Sequence, residues 1–298
     1  MRVVALIPTS FKAPIDVEPG AATFVVVSDV EALRTAIRDA DVLVLAPRYG
    51  EWIRDVWPDA RKLRWIHSLG AGVEKLPFDI LRDSDVVVTN ARGVYAGALA
   101  EWVIGAMLYF AKDFRRLTTA REWKPFHVER LEGATLGIVG YGNIGEAIAR
   151  RANAFGMRIL TARRSDPVDD LIAASDYVVL STPLTPATHR LMNADRIARM
   201  KPSAVLVNIS RGQVVDEAAL IDALGAHRIR GAALDVFETE PLPPDSPLWT
   251  LDNVLLSPHS ADRTTDSHER AIAVFRANLA RFERGEPLEN IVEKVRGY

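Results

Sequence analysis

Short apolar runs recur along the chain at Val3–Ile7, Val42–Ala46, Leu63–His67 and Val86–Thr89. They return at Leu136–Val139, Arg158–Ala162, Tyr177–Ser181, Ala204–Ile209, Gly231–Leu234 and Val254–Ser257. Within each run the apolar residues are successive rather than alternate, which predicts strands covered on both faces in parallel sheets. Helical spacing fills the stretches between them, so strand and helix alternate and the expected class is α/β. A longer helix is predicted from Gly97 to about Lys112, with Leu99, Trp102, Val103, Ala106, Met107 and Phe110 at helical spacing. It lies between the fourth and fifth runs and is expected to link two sheets. A second helical stretch runs from Asp266 to about Arg284, and the Pro-rich segment Pro241–Pro247 reads as a loop.

A chain of 298 residues can bury more than one core, so two domains are expected. The 37 basic and 39 acidic residues are well mixed, with a net charge of -2. No basic stripe of the kind a polyanion requires is present, so nucleic acid is not an expected partner. No apolar run approaches the roughly 20 residues that span a bilayer, so no membrane partner is expected either. The opening Met1–Pro8 reads as a buried strand rather than a signal peptide. The absence of cysteine removes disulfides, thiolate metal sites and a thiol nucleophile, and fits a cytoplasmic protein. No metal site is expected, and chemistry must come from other side chains or from a cofactor.

Gly140-Tyr141-Gly142-Asn143-Ile144-Gly145 follows the run Leu136–Val139 and opens a helical pattern, the context in which G-x-G-x-x-G binds a dinucleotide. The first glycine permits a tight turn, the second lets backbone approach a pyrophosphate, and the third lets helix and strand pack closely. At the end of the next strand an acid would accept hydrogen bonds from the adenosine ribose of NAD. The chain instead has Arg163, followed by Arg164 and Ser165, donors suited to a 2′-phosphate, so NADP(H) is favoured over NAD(H). Solvated surface arginines remain the alternative.

Ligands of doubly wound sheets sit outside the C-terminal strand ends. Three such ends carry Ser210-Arg211-Gly212, Asp235 through Glu240, and Ser257-Pro258-His259-Ser260. Reduction of a 2-keto acid needs a cation for the carboxylate, a proton donor for the carbonyl oxygen, and a group that keeps that donor protonated. Arg211, His259 and Glu240 meet those needs as clamp, acid/base and partner.

The segments Asn208–Asp216, Leu234–Pro241 and Ser257–His259 resemble the signatures of the D-isomer-specific 2-hydroxyacid dehydrogenases, in order and spacing. The resemblance spans the chain and is closest to the glyoxylate/hydroxypyruvate reductase branch, because Arg163 stands where an aspartate is frequent. It implies that Arg211, Glu240 and His259 are catalytic and that Asp235 tunes the Glu240–His259 pair. It implies cofactor contacts at Thr182, Pro183, Ile209, Ser210 and Asp235. It also implies that the loop containing Ala71, Gly72 and Val73 binds the substrate carboxylate, with Tyr49 in reach of the substrate or merely an exposed loop tyrosine. The implied architecture is two Rossmann-like or flavodoxin-like parallel-sheet domains with a cleft between them. Residues 1–96 and 267–298 would form a substrate domain and residues 97–266 a dinucleotide-binding domain. The partners implied are a small 2-keto or 2-hydroxy acid and a second copy of the chain, since the linking helix of the family builds dimers. A dinucleotide-sensing regulator of the same fold is the second function class these features allow; cofactor oxidation with keto acids separates the two.

Overall fold

A computed structural model of the chain describes residues 1–11, 15 and 22–297. They form two compact units, Met1–Val94 with Thr265–Tyr298, and Tyr95–Thr264.

The first unit holds five parallel strands, β1 (Arg2–Leu6), β2 (Thr23–Val27), β3 (Val42–Leu45), β4 (Trp65–Ser68) and β5 (Val87–Asn90). Their order is β2-β1-β3-β4-β5. β1, β3 and β4 are buried almost throughout, as successive apolar residues require. β2 is missing from the strands read off the sequence: it is an edge strand, half-open to solvent, with Val26 58% exposed. The chain returns to this unit through the helix Ser267–Glu283, whose Phe275 stacks on Trp65 with ring centroids 5.4 Å apart. The tail then clips onto β5, with the Val292 N–H donating to Val88 O at 2.8 Å.

His67 on β4 is wholly buried beneath that helix. Trp65 Nε1 donates to Thr89 Oγ1 at 2.7 Å, which leaves the Thr89 hydroxyl proton for His67 Nδ1, also at 2.7 Å. Nε2 is buried without a protein partner. Burial drives the His67 pKa from its ordinary value of 6.5 down to about 3. The unfolded chain therefore takes up a proton below pH 6.5 that the folded chain refuses until about pH 3, and stability falls with pH across that window. His67 alone is expected to remove about 1.4 kcal/mol per pH unit there. Urea unfolding at pH 7.5 and 5 should show a weaker pH dependence for His67→Gln than for the parent; equal dependences would refute this.

The second unit holds six parallel strands, β6 (Thr135–Val139), β7 (Arg158–Ala162), β8 (Tyr177–Leu180), β9 (Val205–Asn208), β10 (Gly231–Leu234) and β11 (Val254–Leu256). Their order is β11-β10-β9-β8-β6-β7. Tyr177 and Val179 of β8 and Val205 and Val207 of β9 join a core that includes the helices Ala96–Ala111 and Asn143–Ala154. The residues between them, Val178 and Leu206, join a second core with the helices Asp169–Ala174, Ala194–Arg199 and Glu217–Gly225. Each strand thus feeds two cores in alternation, which is why its sequence is apolar without a break. The direction of strand addition reverses between β6 and β8, the switch point where doubly wound sheets bind ligands. Among the described residues no helix is long and apolar enough to cross a membrane, and no group of three or more His, Asp or Glu side chains could hold a metal ion.

Candidate active site

The glycine loop sits at the switch point. Gly140, directly after β6, has φ +98°, and a Cβ there would lie 2.7 Å from the backbone of Ser181 and Thr182 after β8. A Cβ on Gly145 would lie 2.6 Å from Gly140 O, so the helix Asn143–Ala154 starts hard against the turn. Ser181 Oγ closes the arrangement by donating to Gly140 O at 2.7 Å. Gly142, the residue before the helix, has open space where a Cβ would stand, and it and Asn143 are exposed. Backbone amides at a helix start, free of side-chain cover, suit a pyrophosphate, so the residues present fit a dinucleotide.

Around this loop, Tyr141 and Ile144 are half-buried, as is Thr182, while Pro183 is exposed. Ile209 and Ser210 are buried after β9, Ser210 donating to Asn208 Oδ1 from N–H at 3.1 Å and from Oγ at 2.8 Å. Arg163, Arg164 and Ser165 are exposed after β7. The Arg163 guanidinium lies 5.4 Å from the Tyr141 ring centroid and 3.9 Å from Glu146 Oε1, beside the glycine loop.

The loops after β9, β10 and β11, neighbours in the sheet, carry the three candidate catalytic residues. His259 Nδ1 is 2.7 Å from Glu240 Oε2, and the Phe237 N–H donates to Glu240 Oε1 at 3.1 Å. Glu240 therefore spends one oxygen on its own turn and the other on the imidazole Nδ1, so that Nε2 is the ring nitrogen Glu240 does not engage, on a side chain 40% exposed. The Glu240–Pro241 peptide is cis. His259 has φ 49°, a conformation that costs a non-glycine residue about 1 kcal/mol or more. Asp235, 2% exposed, holds it: Asp235 O accepts from the His259 N–H at 2.8 Å, and Oδ1 accepts from the N–H groups of Ser260 at 2.8 Å and Ala261 at 3.0 Å. Asp235 is thus occupied by the histidine turn.

Arg211 Nη1 donates to Ser210 O at 2.5 Å, and Asn208 Nδ2 donates to Arg211 O at 3.1 Å. The Glu240 hydrogen bond raises the His259 pKa above its ordinary value, outweighing burial and the Arg211 charge. Burial pushes the Glu240 carboxyl up, but His259, the Phe237 N–H and Arg211 together hold it below its ordinary value. Burial raises Asp235 despite bonds from Ser257, Ser260 and Ala261.

In the first unit, Ala71, Gly72 and Val73 follow β4. Asn90 Nδ2 donates to Ala71 O at 2.7 Å, and a Cβ on Gly70 would lie 2.3 Å from Pro47 Cγ. That contact binds the loop to the turn Pro47–Tyr49, where Tyr49 is half-buried and packs on Trp52 with centroids 4.6 Å apart. The structure therefore places these four residues together at the C-terminal edge of adjacent strands β3 and β4.

The model of the family described as D-isomer specific 2-hydroxyacid dehydrogenase, NAD binding domain, matches residues 104–261. The chain belongs to this family. It is 38% identical to the glyoxylate reductase of Korarchaeum cryptofilum over 262 residues, covering 80% of this chain and 79% of that one. It is 37% identical to the D-3-phosphoglycerate dehydrogenase of Methanocaldococcus jannaschii over 282 residues, 88% of this chain. The chain spans about half the length of that relative, 53%. A crystal structure of a Thermus thermophilus protein matches with a TM-score of 0.80 and 31% identity, over 98% of this chain and 100% of the other. The matched family segment contains the glycine loop and all three candidate catalytic residues.

Proposed function

We propose that the chain reduces a small 2-keto acid, of the glyoxylate or hydroxypyruvate kind, to the D-2-hydroxy acid, with NADPH preferred to NADH. The observation that carries this reading is the 2.7 Å pairing of Glu240 with His259 beside Arg211, on the strand ends next to the glycine loop. The residues Tyr95–Thr264 would act as the dinucleotide-binding domain. The remainder would act as the substrate domain, in which the amides of Ala71, Gly72 and Val73 receive the carboxylate and Tyr49 flanks it.

The nicotinamide, when bound, supplies hydride to carbon 2 of the keto acid. Gly140 to Gly145 would hold the pyrophosphate, with Thr182, Pro183, Ile209 and Ser210 along the same strand ends. Arg211 draws electron density toward the carbonyl oxygen and fixes the carboxylate. His259 carries a proton on Nε2 and gives it to that oxygen as the carbonyl becomes an alcohol. Glu240 stabilises the imidazolium before transfer, which keeps the donor charged at neutral pH. In the reverse direction neutral His259 takes the proton back.

Arg163 supports NADPH: its guanidinium lies beside the glycine loop, 5.4 Å from the Tyr141 ring centroid and 3.9 Å from Glu146 Oε1. The exposed apolar residues Phe114, Leu117, Trp123 and Val128, after the helix Ala96–Ala111, support a second copy of the chain as partner. Loss of nicotinamide absorbance with glyoxylate, hydroxypyruvate, pyruvate and phenylpyruvate tests the reading. Turnover is expected, faster with NADPH. Arg163→Ala should raise the KM for NADPH about 10- to 100-fold, the worth of a charge-assisted phosphate contact, while the KM for NADH stays within about twofold. Faster turnover with NADH in the parent would remove the cofactor preference, and tight dinucleotide binding without turnover would remove the enzyme.

A further inference from the structure

The geometry points to Arg190, Gln213 and Glu217 as a clamp on Glu238 that positions Glu240 against His259. This inference rests on the catalytic reading of that pair for its kinetic consequence, but not for its structural one.

Each polar part of Glu238 is engaged by a different side chain. Its N–H donates to Glu217 Oε2 at 2.9 Å, and its C=O accepts from Gln213 Nε2 at 2.9 Å. Its carboxylate Oε1 lies 3.5 Å from Arg190 Nη2. The three clamp residues are themselves fixed. Glu217 is the first residue of the helix Glu217–Gly225, whose start is set by Asp216 Oδ1 accepting from the Ala219 N–H at 3.1 Å. Gln213 lies in the turn Gly212–Val214, packed so tightly on Phe237 that a Cβ on Gly212 would overlap it. The Arg190 N–H donates to Gln213 O at 2.8 Å, and Arg190 Nη1 reaches Asp216 Oδ2 at 3.8 Å.

Glu240 follows two residues after Glu238 and takes its orientation from the Phe237 N–H, which donates to Oε1. The peptide unit joining Phe237 to Glu238 is held from both sides by Gly212 and Glu217, which anchors Phe237 at its carbonyl end, one peptide along from the N–H that aims Glu240. Its second oxygen then meets His259 Nδ1. A neutral threonine or serine at 217 would be too short to serve; a carboxylate or amide at the helix start reaches.

The clamp residues are positioning residues, because none touches His259. The charged groups that act on His259 are Glu240, Arg211 and Asp235. Loosening the clamp withdraws only Glu240, so the pKa of His259 should move down toward its ordinary value.

The test is Glu217→Ala, with Glu217→Gln as the conservative variant and Gln213→Ala as a second release. His259 is titrated by NMR through its ring Cε1–H resonance, assigned by its loss in His259→Asn. In Glu217→Ala the pKa of His259 should fall toward its ordinary value and kcat by roughly 10- to 100-fold, as for a small misplacement of an acid. The dissociation constant for NADPH should be unchanged. Glu217→Gln, which keeps an acceptor for the Glu238 N–H, should restore most of both. An unchanged His259 titration in Glu217→Ala would overturn the clamp, as would a Glu217→Gln that behaves like Glu217→Ala. If Glu217→Ala does not fold, Gln213→Ala decides on the same titration, an unchanged His259 again overturning the clamp. Turnover retained in His259→Asn would instead refute the catalytic reading and leave the titration to judge the clamp alone.

Discussion

Replacement of His259 by asparagine is expected to lower kcat for keto-acid reduction by about 10²–10⁴-fold, the usual worth of a general acid, while dinucleotide affinity stays within about twofold. Asparagine keeps a polar side chain against Glu240 and tolerates the φ of 49° at this position, so loss of fold is not the cause of the effect. The pH dependence gives a second reading of the same group. Because Glu240 raises the His259 pKa, the donor stays protonated past the ordinary histidine value. Reduction should therefore be fast on the acid side and decline as pH rises through the raised pKa, while oxidation of the hydroxy acid should rise through it. Glu240→Gln removes the stabilising charge, so the alkaline limb of reduction should move to lower pH. A His259→Asn enzyme with near-normal kcat, or an alkaline limb indifferent to Glu240→Gln, would sink the assignment.

Much of the fold is legible because burial on both faces leaves an unbroken apolar run in the central strands; the runs read from sequence fall on ten of the eleven strands among the described residues, including the edge strand β7, which is mostly exposed. The eleventh, β2, has one neighbour and an exposed side, so Phe24–Val27 competes poorly with the loop chemistry around it. The glycine loop is legible because each of its glycines answers a local demand that sequence context exposes, strand before and helix after. Pairing between Glu240 and His259 is different in kind. The residues come from loops after β10 and β11, and no local pattern joins them: the strand-end rule and the motif resemblance together do.

The clamp could not be read from sequence at all. Glu217 at a helix start reads as a partner for the helix dipole, and nothing local announces that its acceptor belongs to the amide of Glu238. His67 is illegible for the same reason: in sequence it closes an apolar run, and only the third dimension shows it sealed beneath Phe275. Chemistry carried by one residue type in one motif is visible early. Chemistry that depends on which backbone groups a side chain finds is not.

Gly212 joins these two levels, and its replacement by alanine is expected to have the largest structural effect of any single methyl in the site. A Cβ there would lie 1.8 Å from the carbonyl carbon of Phe237, 1.9 Å from its oxygen and 2.3 Å from Glu238 N. All three are backbone atoms, so no side-chain rotamer can relieve the overlap, and the two loops must part by roughly an ångström or more to restore ordinary contact. The loop on one side carries Arg211 and Gln213; the loop on the other aims Glu240. Separation should therefore loosen the clamp, displace Glu240 from His259 and shift Arg211 together. We expect kcat to fall by about 100-fold or more and stability by on the order of 3 kcal/mol. Gly225 is the matched control: at the end of the helix Glu217–Gly225, a Cβ would meet nothing nearer than Leu251 Cδ2 at 3.9 Å. Gly225→Ala should leave kcat unchanged and, through better helix propensity, hold or raise the melting temperature, with a gain up to about 1 kcal/mol. Thermal melts and steady-state kinetics on the pair decide the matter, and a Gly212→Ala enzyme within about twofold of the parent in kcat would mean that the approach of the two loops does not hold the site together.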